Sequence, residues 1–257
     1  MKKNLIVLVI FALWMESSIK AQSKENQSDF QDFVYESSFS GGLTFHTNGW
    51  GINARYENHR NVKTRIIYDF DLLFTVRHPK EVRVVRSQPQ YDNARPFVYG
   101  KKNHLMMLRP QMGLQHIIAD KQEFLGIKIA FNWSVGPGLA LLKPVYLEVQ
   151  DIREVSGGIV ILDEIVIQRY DPDRHSQPRI YGGASFFEGL GEIALMMGGS
   201  FKAGLEFDLA KSSEDILALE LGVMVDAFPG EVPIFAKIDN KRVFVNLFAT
   251  GRFGLNW

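Results

Sequence analysis

The sequence predicts an all-β fold, an eight-stranded antiparallel transmembrane β-barrel with long loops at one end. Three observations carry that expectation. Eight segments alternate with a period of two, charged residues keeping to one parity and the other staying almost uncharged. The connections between them are short at one end and mostly long at the other. The only leader-like apolar run lies at the N-terminus, and it is too short for a spanning helix.

That run opens with Met1-Lys2-Lys3-Asn4, continues through eleven apolar-rich residues from Leu5 to Met15, and closes on a polar stretch ending Lys20-Ala21-Gln22. The pattern is that of a secretory signal peptide over 1–21, cleaved after Ala21. Residues 22–35 form a polar arm without periodicity. The barrel domain is expected over 36–257. Lys plus Arg and Asp plus Glu each number 29, so no net field recruits nucleic acid. Cysteine is absent, which excludes disulfides, thiolate metal sites and cysteine nucleophiles. An exported chain without such staples needs a fold closed on itself or stabilised by a bilayer.

The first strand alternates Phe39, Gly41, Leu43 and Phe45 against Ser40, Gly42, Thr44 and His46. Asn48-Gly49 is a two-residue hairpin signal. Trp50, Ile52, Ala54 and Tyr56 follow, opposed by Asn53, Arg55 and Glu57, and a turn is expected over Asn58–Asn61. The third strand is read from Ile66 to Val76, with Arg65, Asp69 and Asp71 on its polar side. His78-Pro79 ends it, and Lys80–Lys102 is a long connection. The fourth strand carries Arg109, and a tight turn is expected at Ala119–Lys121. The fifth runs from Leu125 to Gly136 with Lys128 on the polar side. Pro144–Leu195 is a 52-residue insertion with a projecting hairpin over Gly157–Tyr170 and a helical turn over Ala184–Gly189. Lys202, Glu206 and Asp208 mark the sixth strand, Ser212-Ser213-Glu214 a turn, and Glu220 and Asp226 the seventh strand. After a medium loop over Phe228–Lys241, the last strand places Val243, Val245, Leu247, Ala249, Phe253, Leu255 and Trp257 on one parity. Arg252 lies on the other, with Phe244 and Phe248 among its polar neighbours.

The candidate functional residues are therefore barrel-interior charges: Arg55, Arg65, Asp69, Asp71, Arg109, Lys128, Lys202, Glu206, Asp208, Glu220 and Arg252. An eight-stranded barrel is just wide enough for side chains, so opposite charges there should pair into a plug rather than line a pore. Aromatic residues near strand ends (Phe39, Trp50, Tyr56, Trp133, Trp257) suit membrane interfaces.

Chemical motifs are weak. His104 and His116 share the outward parity of one strand, where a lipid-facing histidine could serve a lipid-modifying enzyme, but an ordinary interfacial position explains them better. Asp171-Pro172-Asp173 with His175 lacks the spacing of a calcium loop. Gly189-Leu190-Gly191 lacks the third glycine and the strand context of a nucleotide fingerprint. No catalytic residue, cofactor or metal is expected.

The leader ending Ala21-Gln22, the segment Phe186-Phe187-Glu188-Gly189-Leu190-Gly191-Glu192-Ile193, and Lys202-Ala203-Gly204-Leu205-Glu206-Phe207 together resemble small outer-membrane β-barrel proteins of the Bacteroidota type. The resemblance implies an outer-membrane location, contact with outer-membrane lipid, and recognition by the outer-membrane insertion machinery. Leu255 and Trp257 match the terminal insertion signal of such proteins, whereas Gly251 stands one place off the customary glycine. The expected function is that of a non-enzymatic structural or accessory subunit of an outer-membrane insertion or secretion complex, with other outer-membrane proteins as partners. The alternatives are a small transport or ligand-binding barrel and a lipid-modifying enzyme.

Overall fold

The computed structural model describes residues 37–257 other than 62, 75, 78–79, 87–92, 121–125, 156–157 and 211–213. The expected leader (1–21), the polar arm (22–35), Leu125 and the Ser212–Ser213 part of one turn lie outside the described residues.

Thirteen strands follow in order: β1 (Ser37–His46), β2 (Gly49–Asn61), β3 (Thr64–Leu73), β4 (Arg83–Val84), β5 (Phe97–Val98), β6 (Asn103–Ala119), β7 (Lys128–Pro144), β8 (Tyr146–Val155), β9 (Gly158–Arg169), β10 (Ile180–Gly183), β11 (Ala194–Asp208), β12 (Asp215–Ala227) and β13 (Val243–Asn256). Eight of them close into one antiparallel barrel in the order β1-β13-β12-β11-β7-β6-β3-β2. The fold class is the expected one. Closure is made by β1 on β13, in register from Ser38 opposite Asn256 to His46 opposite Phe248. It leaves the barrel no free edge.

The alternation read from sequence is carried through into facing. Leu43, Leu221, Val245 and Leu247 lie on the outer wall, and Thr44, Glu220 and Arg252 are buried inside. The interior is also where glycine is needed: a Cβ on Gly113 would come within 1.8 Å of the Trp133 carbonyl oxygen on β7. Only a residue without a side chain lets β6 approach its neighbour that closely.

Several boundaries differ from expectation. Asn58–Asn61 belongs to β2, so the first short connection is at 62–63 rather than a turn over 58–61. β3 stops at Leu73, and Val76 turns inward to become buried rather than extending the outer face. β6 ends at Ala119 and β7 starts at Lys128 rather than near Leu125, while Lys121 of the expected tight turn lies outside the described residues. The insertion at 144–195 is largely strand. β8 and β9 form a hairpin over Tyr146–Arg169, wider than the expected Gly157–Tyr170, and β10 completes a sheet in the order β10-β8-β9. The helical turn expected at 184–189 is met by a hydrogen-bonded turn over 186–189, which runs on into a 3-10 turn at Leu190–Glu192. β10 was missed because it pairs with β8, about thirty residues earlier, which local periodicity does not reveal.

The long connections pack into a cap at one end of the barrel. Phe97, Val145, Leu147, Val149, Tyr170 and Ile180 form its apolar core, joining the β4–β5 ribbon to the β10-β8-β9 sheet. Asn240 holds the 228–242 loop together. Its Oδ1 accepts from the backbone N–H of Ile234 and of Phe235, each at 2.9 Å, and its Nδ2 donates to the Phe235 carbonyl at 2.9 Å.

Candidate functional site in the barrel lumen and its cap

The lumen is filled in layers. In the middle, β2 contributes Arg55, β3 Asp69 and Asp71, β11 Lys202 and Glu206, β12 Glu220, and β13 Arg252, all buried. Arg55 donates from Nε and Nη2 to the two oxygens of Asp69 at 2.7 and 2.6 Å, a bidentate pair. It also donates to Glu206 and Glu220, each at 2.9 Å. Arg252 donates to Glu220 at 2.5 Å and to Glu206. Lys202 Nζ lies 3.5 Å from Asp71 and 3.7 Å from both Asp69 and Glu220. Neutral amides complete the lattice: Asn53 donates to Asp71 at 2.7 Å, Asn132 to Glu206 at 2.8 Å and Gln115 to Glu206 at 3.1 Å. A buried charge without a partner costs several kcal/mol, so each member holds the others in place.

Towards the short-connection end, Arg65 pairs with Glu57 at 2.9 Å and Lys128 with Asp208 at 3.2 Å. Towards the cap, Arg109 donates to Asp226 at 2.5 Å and points a second nitrogen at the Met224 sulfur, 2.9 Å away. Beyond that pair the lumen becomes apolar. Leu73, Leu105, Met107, Phe244 and Phe248 pack with Phe228, Val232, Ile234 and Phe235, the last four from the 228–242 loop folded across the mouth. This apolar stopper was not expected, although Phe244 and Phe248 on the polar parity of the last strand were its visible trace. The neutral lattice partners Asn53, Gln115 and Asn132, and the Arg109 partner Asp226, were also absent from the candidate set.

The terminal residues Leu255 and Trp257 are on the outer wall, 59% and 57% exposed. Trp257 exchanges backbone hydrogen bonds with Ser37 at 2.9 and 3.0 Å, and its ring lies 6.4 Å from that of Tyr56.

No protein-family model matches the chain, and no curated protein matches it in sequence. Among solved structures, the chain is similar to the attachment invasion locus protein Ail of Yersinia pestis, with 11% identity over 86% of this chain and 97% of that one, at a TM-score of 0.40. It is similar also to Neisserial surface protein A, with 7% identity over 86% of this chain and 95% of that one, at a TM-score of 0.37.

The weaker chemical motifs lie on the barrel wall and in the cap. His104 faces outward with its ring 6.0 Å from Phe186, and His116 stands opposite Phe131 and Thr64. Among the described residues neither is hydrogen-bonded to a serine or a carboxylate. In the cap, His175 is buried. Its Nδ1 accepts from the Asp171 backbone N–H at 3.0 Å, and its Nε2 reaches Gln168 Oε1 at 3.1 Å. Nδ1 accepting leaves Nε2 as the donor, which is the neutral tautomer. Burial lowers the His175 pKa below its ordinary value, against the raising effect of Asp171. Asp171 in turn accepts from the Asp173 backbone N–H at 3.0 Å, so this trio shapes a turn. Lys101, also in the cap, is held below its ordinary pKa by burial even though Glu81 grips it with both oxygens at 2.9 Å.

Proposed function

We propose that the protein is a non-enzymatic outer-membrane β-barrel that serves as a structural or accessory subunit of a larger outer-membrane assembly. The observation that carries this reading is the inversion of its two surfaces. Leu247 and Val245 on the outer wall are 66% and 62% exposed, while Arg55, Asp71 and Glu220 inside are at 0%. A water-soluble barrel has the opposite arrangement, whereas a bilayer favours an apolar exterior and a closed sheet. The leader over 1–21 supplies the export this requires, and Leu255 and Trp257 supply the insertion signal. The small Bacteroidota-type barrels resembled in sequence have this character.

The contents of the lumen support a scaffold over a transporter. A lattice of ion pairs lies beneath a stopper of phenylalanine and aliphatic side chains, which together occupy the lumen. The accessory role is supported by the cap, in which connections that are often mobile share an apolar core and present a fixed surface.

The test is expression with the native leader, followed by fractionation, heat-modifiability on gels and purification in mild detergent. An embedded, heat-modifiable protein carrying stoichiometric partners is the expected result. An embedded protein that purifies alone would remove the accessory role and keep the barrel. A periplasmic, detergent-independent protein would remove both.

A further inference from the structure

The segment 184–193 hands the chain from the cap back to the barrel wall, where Ala194 pairs with Leu142. Its course is unusual for an outer loop. Phe186 lies with its ring 5.0 Å from Lys143 Nζ and 6.0 Å from the His104 ring, and both of those residues stand on outward positions of β7 and β6. The segment therefore rests on the outside of the barrel rather than over its mouth. Gly189 takes a left-handed φ of 75°, and a Cβ there would meet the ring of Tyr146, the first residue of β8, at 2.5 Å, so the turn packs closely against the base of the cap sheet.

What this turn presents is mostly apolar, with the exposed Glu188 the one charge between Phe187 and Leu190. Phe187 is 76% exposed and Phe186 51%, with Leu190 and Ile193 beside them. Ile193 leads through Ala194 to the exposed Leu195 and Met197, the first outward residues of β11, which belong to the same apolar wall as the rest of the barrel. Polar groups line its other border: Glu192 accepts from Tyr146 at 2.5 Å and pairs with Arg169 at 3.4 Å. An apolar patch continuous with the barrel wall on one side and edged by charge on the other is the pattern of an element lying in the plane of a membrane interface.

We propose that residues 186–193 form a foot that inserts Phe186, Phe187 and Leu190 into the lipid of the outer leaflet, fixing the height of the cap above the membrane. The inference rests on the outer-membrane reading, and the occupant is lipid because the patch continues the surface that lipid covers. Seating this foot ties β10 and β11, and through them the cap, to the bilayer surface.

The absence of cysteine makes the test direct. Phe187→Cys, Leu190→Cys, Val223→Cys and Arg174→Cys are each labelled with a nitroxide in the full-length protein and reconstituted into phosphatidylcholine–phosphatidylglycerol vesicles. Accessibility is then read to oxygen, which concentrates in lipid, and to a nickel chelate, which stays in water. Val223 is on the outer wall of β12, and the Arg174 side chain is 84% exposed in the cap. The expected result is a several-fold higher oxygen-to-nickel ratio at 187 and 190 than at 174, with 223 higher still. Ratios at 187 and 190 equal to that at 174, with 223 still in lipid, would overturn the foot and leave the barrel reading intact. A water-like ratio at 223 would overturn the barrel reading and the foot with it. Use of two positions guards against one substitution disturbing the turn.

Discussion

Lys202 places its ammonium 4.9 Å from the centre of the Phe248 ring, at the boundary where the charged lattice of the lumen gives way to its apolar stopper. The same ammonium faces Asp69, Asp71 and Glu220 on its other side. One residue thus belongs to both layers. Removing its charge with Lys202→Met should destabilise the barrel by about 3–5 kcal/mol, because the carboxylates around it lose a buried partner. Phe248→Ala should cost a similar ~3–5 kcal/mol through the cavity it leaves. The double variant should lose less than the sum, by about 0.5–2 kcal/mol. Urea unfolding in vesicles, followed by gel mobility, measures all three.

Arg55 and Asp71 should respond unequally. The central lattice holds three cations, Arg55, Lys202 and Arg252, against four carboxylates, Asp69, Asp71, Glu206 and Glu220. Arg55→Met strips three carboxylates of their shared partner and should cost about 3–5 kcal/mol. Asp71→Asn removes one charge of the majority sign while keeping the shape, and should stay within about 1 kcal/mol of the parent. Equal losses from the two substitutions would argue against a lattice limited by its cations.

The stopper should loosen apart from the barrel. Asn240→Ala removes three of the hydrogen bonds within the 228–242 loop, a local loss of about 1–3 kcal/mol. Faster hydrogen exchange confined to that loop is expected, with the heat-modifiable band unchanged. Planar-bilayer recordings of the variant should stay silent, because the ion-pair lattice beneath still fills the lumen.

The cap should carry a pH dependence through His175. Its pKa is depressed in the folded state, so its contribution is fully present above the unfolded value of about 6.5 and is lost as pH falls below it towards the folded value. Protonation would also turn Nδ1 from an acceptor into a donor facing the Asp171 N–H. Proteolysis of the 170–180 turn should therefore quicken as the pH drops from 7.5 to 5, and His175→Gln should flatten that profile.

Trp257 tests the insertion signal proposed for the terminus. Trp257→Ala should slow delivery to the outer membrane while leaving the refolded barrel heat-modifiable, since Trp257 bonds Ser37 through backbone atoms alone. Pulse-labelling of the surface-exposed fraction distinguishes delivery from stability.

The barrel was legible because its defining signal is local. Leu217, Leu219, Leu221 and Val223 alternate with Glu220 in a way that only a two-faced strand explains. The pairing of charge with charge was legible as a requirement but not as a geometry. Nothing in the sequence tells Arg55 to take Asp69, Glu206 and Glu220 rather than Asp71 or Asp208. The stopper was harder still. Val232, Ile234 and Phe235 sit in a segment with Pro229, Gly230 and Pro233, and composition alone reads that as an exposed loop. The β8–β9 hairpin was half-seen, because β9 is apolar on both parities and gives no facing signal.

The separations along the chain between lattice partners carry a further consequence. Arg55 lies 151 residues before Glu206 and 165 before Glu220, and Ser37 bonds to Trp257 at the far end of β13. A chain emerging from its N-terminus thus presents a guanidinium long before two of its carboxylates exist, and a first strand before its closing neighbour has been made. A half-built barrel would hold an orphan charge and an open edge at once. Pairing of β13 with β1 therefore closes the wall and brings Arg252 to Glu206 and Glu220 in the same step, so the enclosure and its contents are completed together.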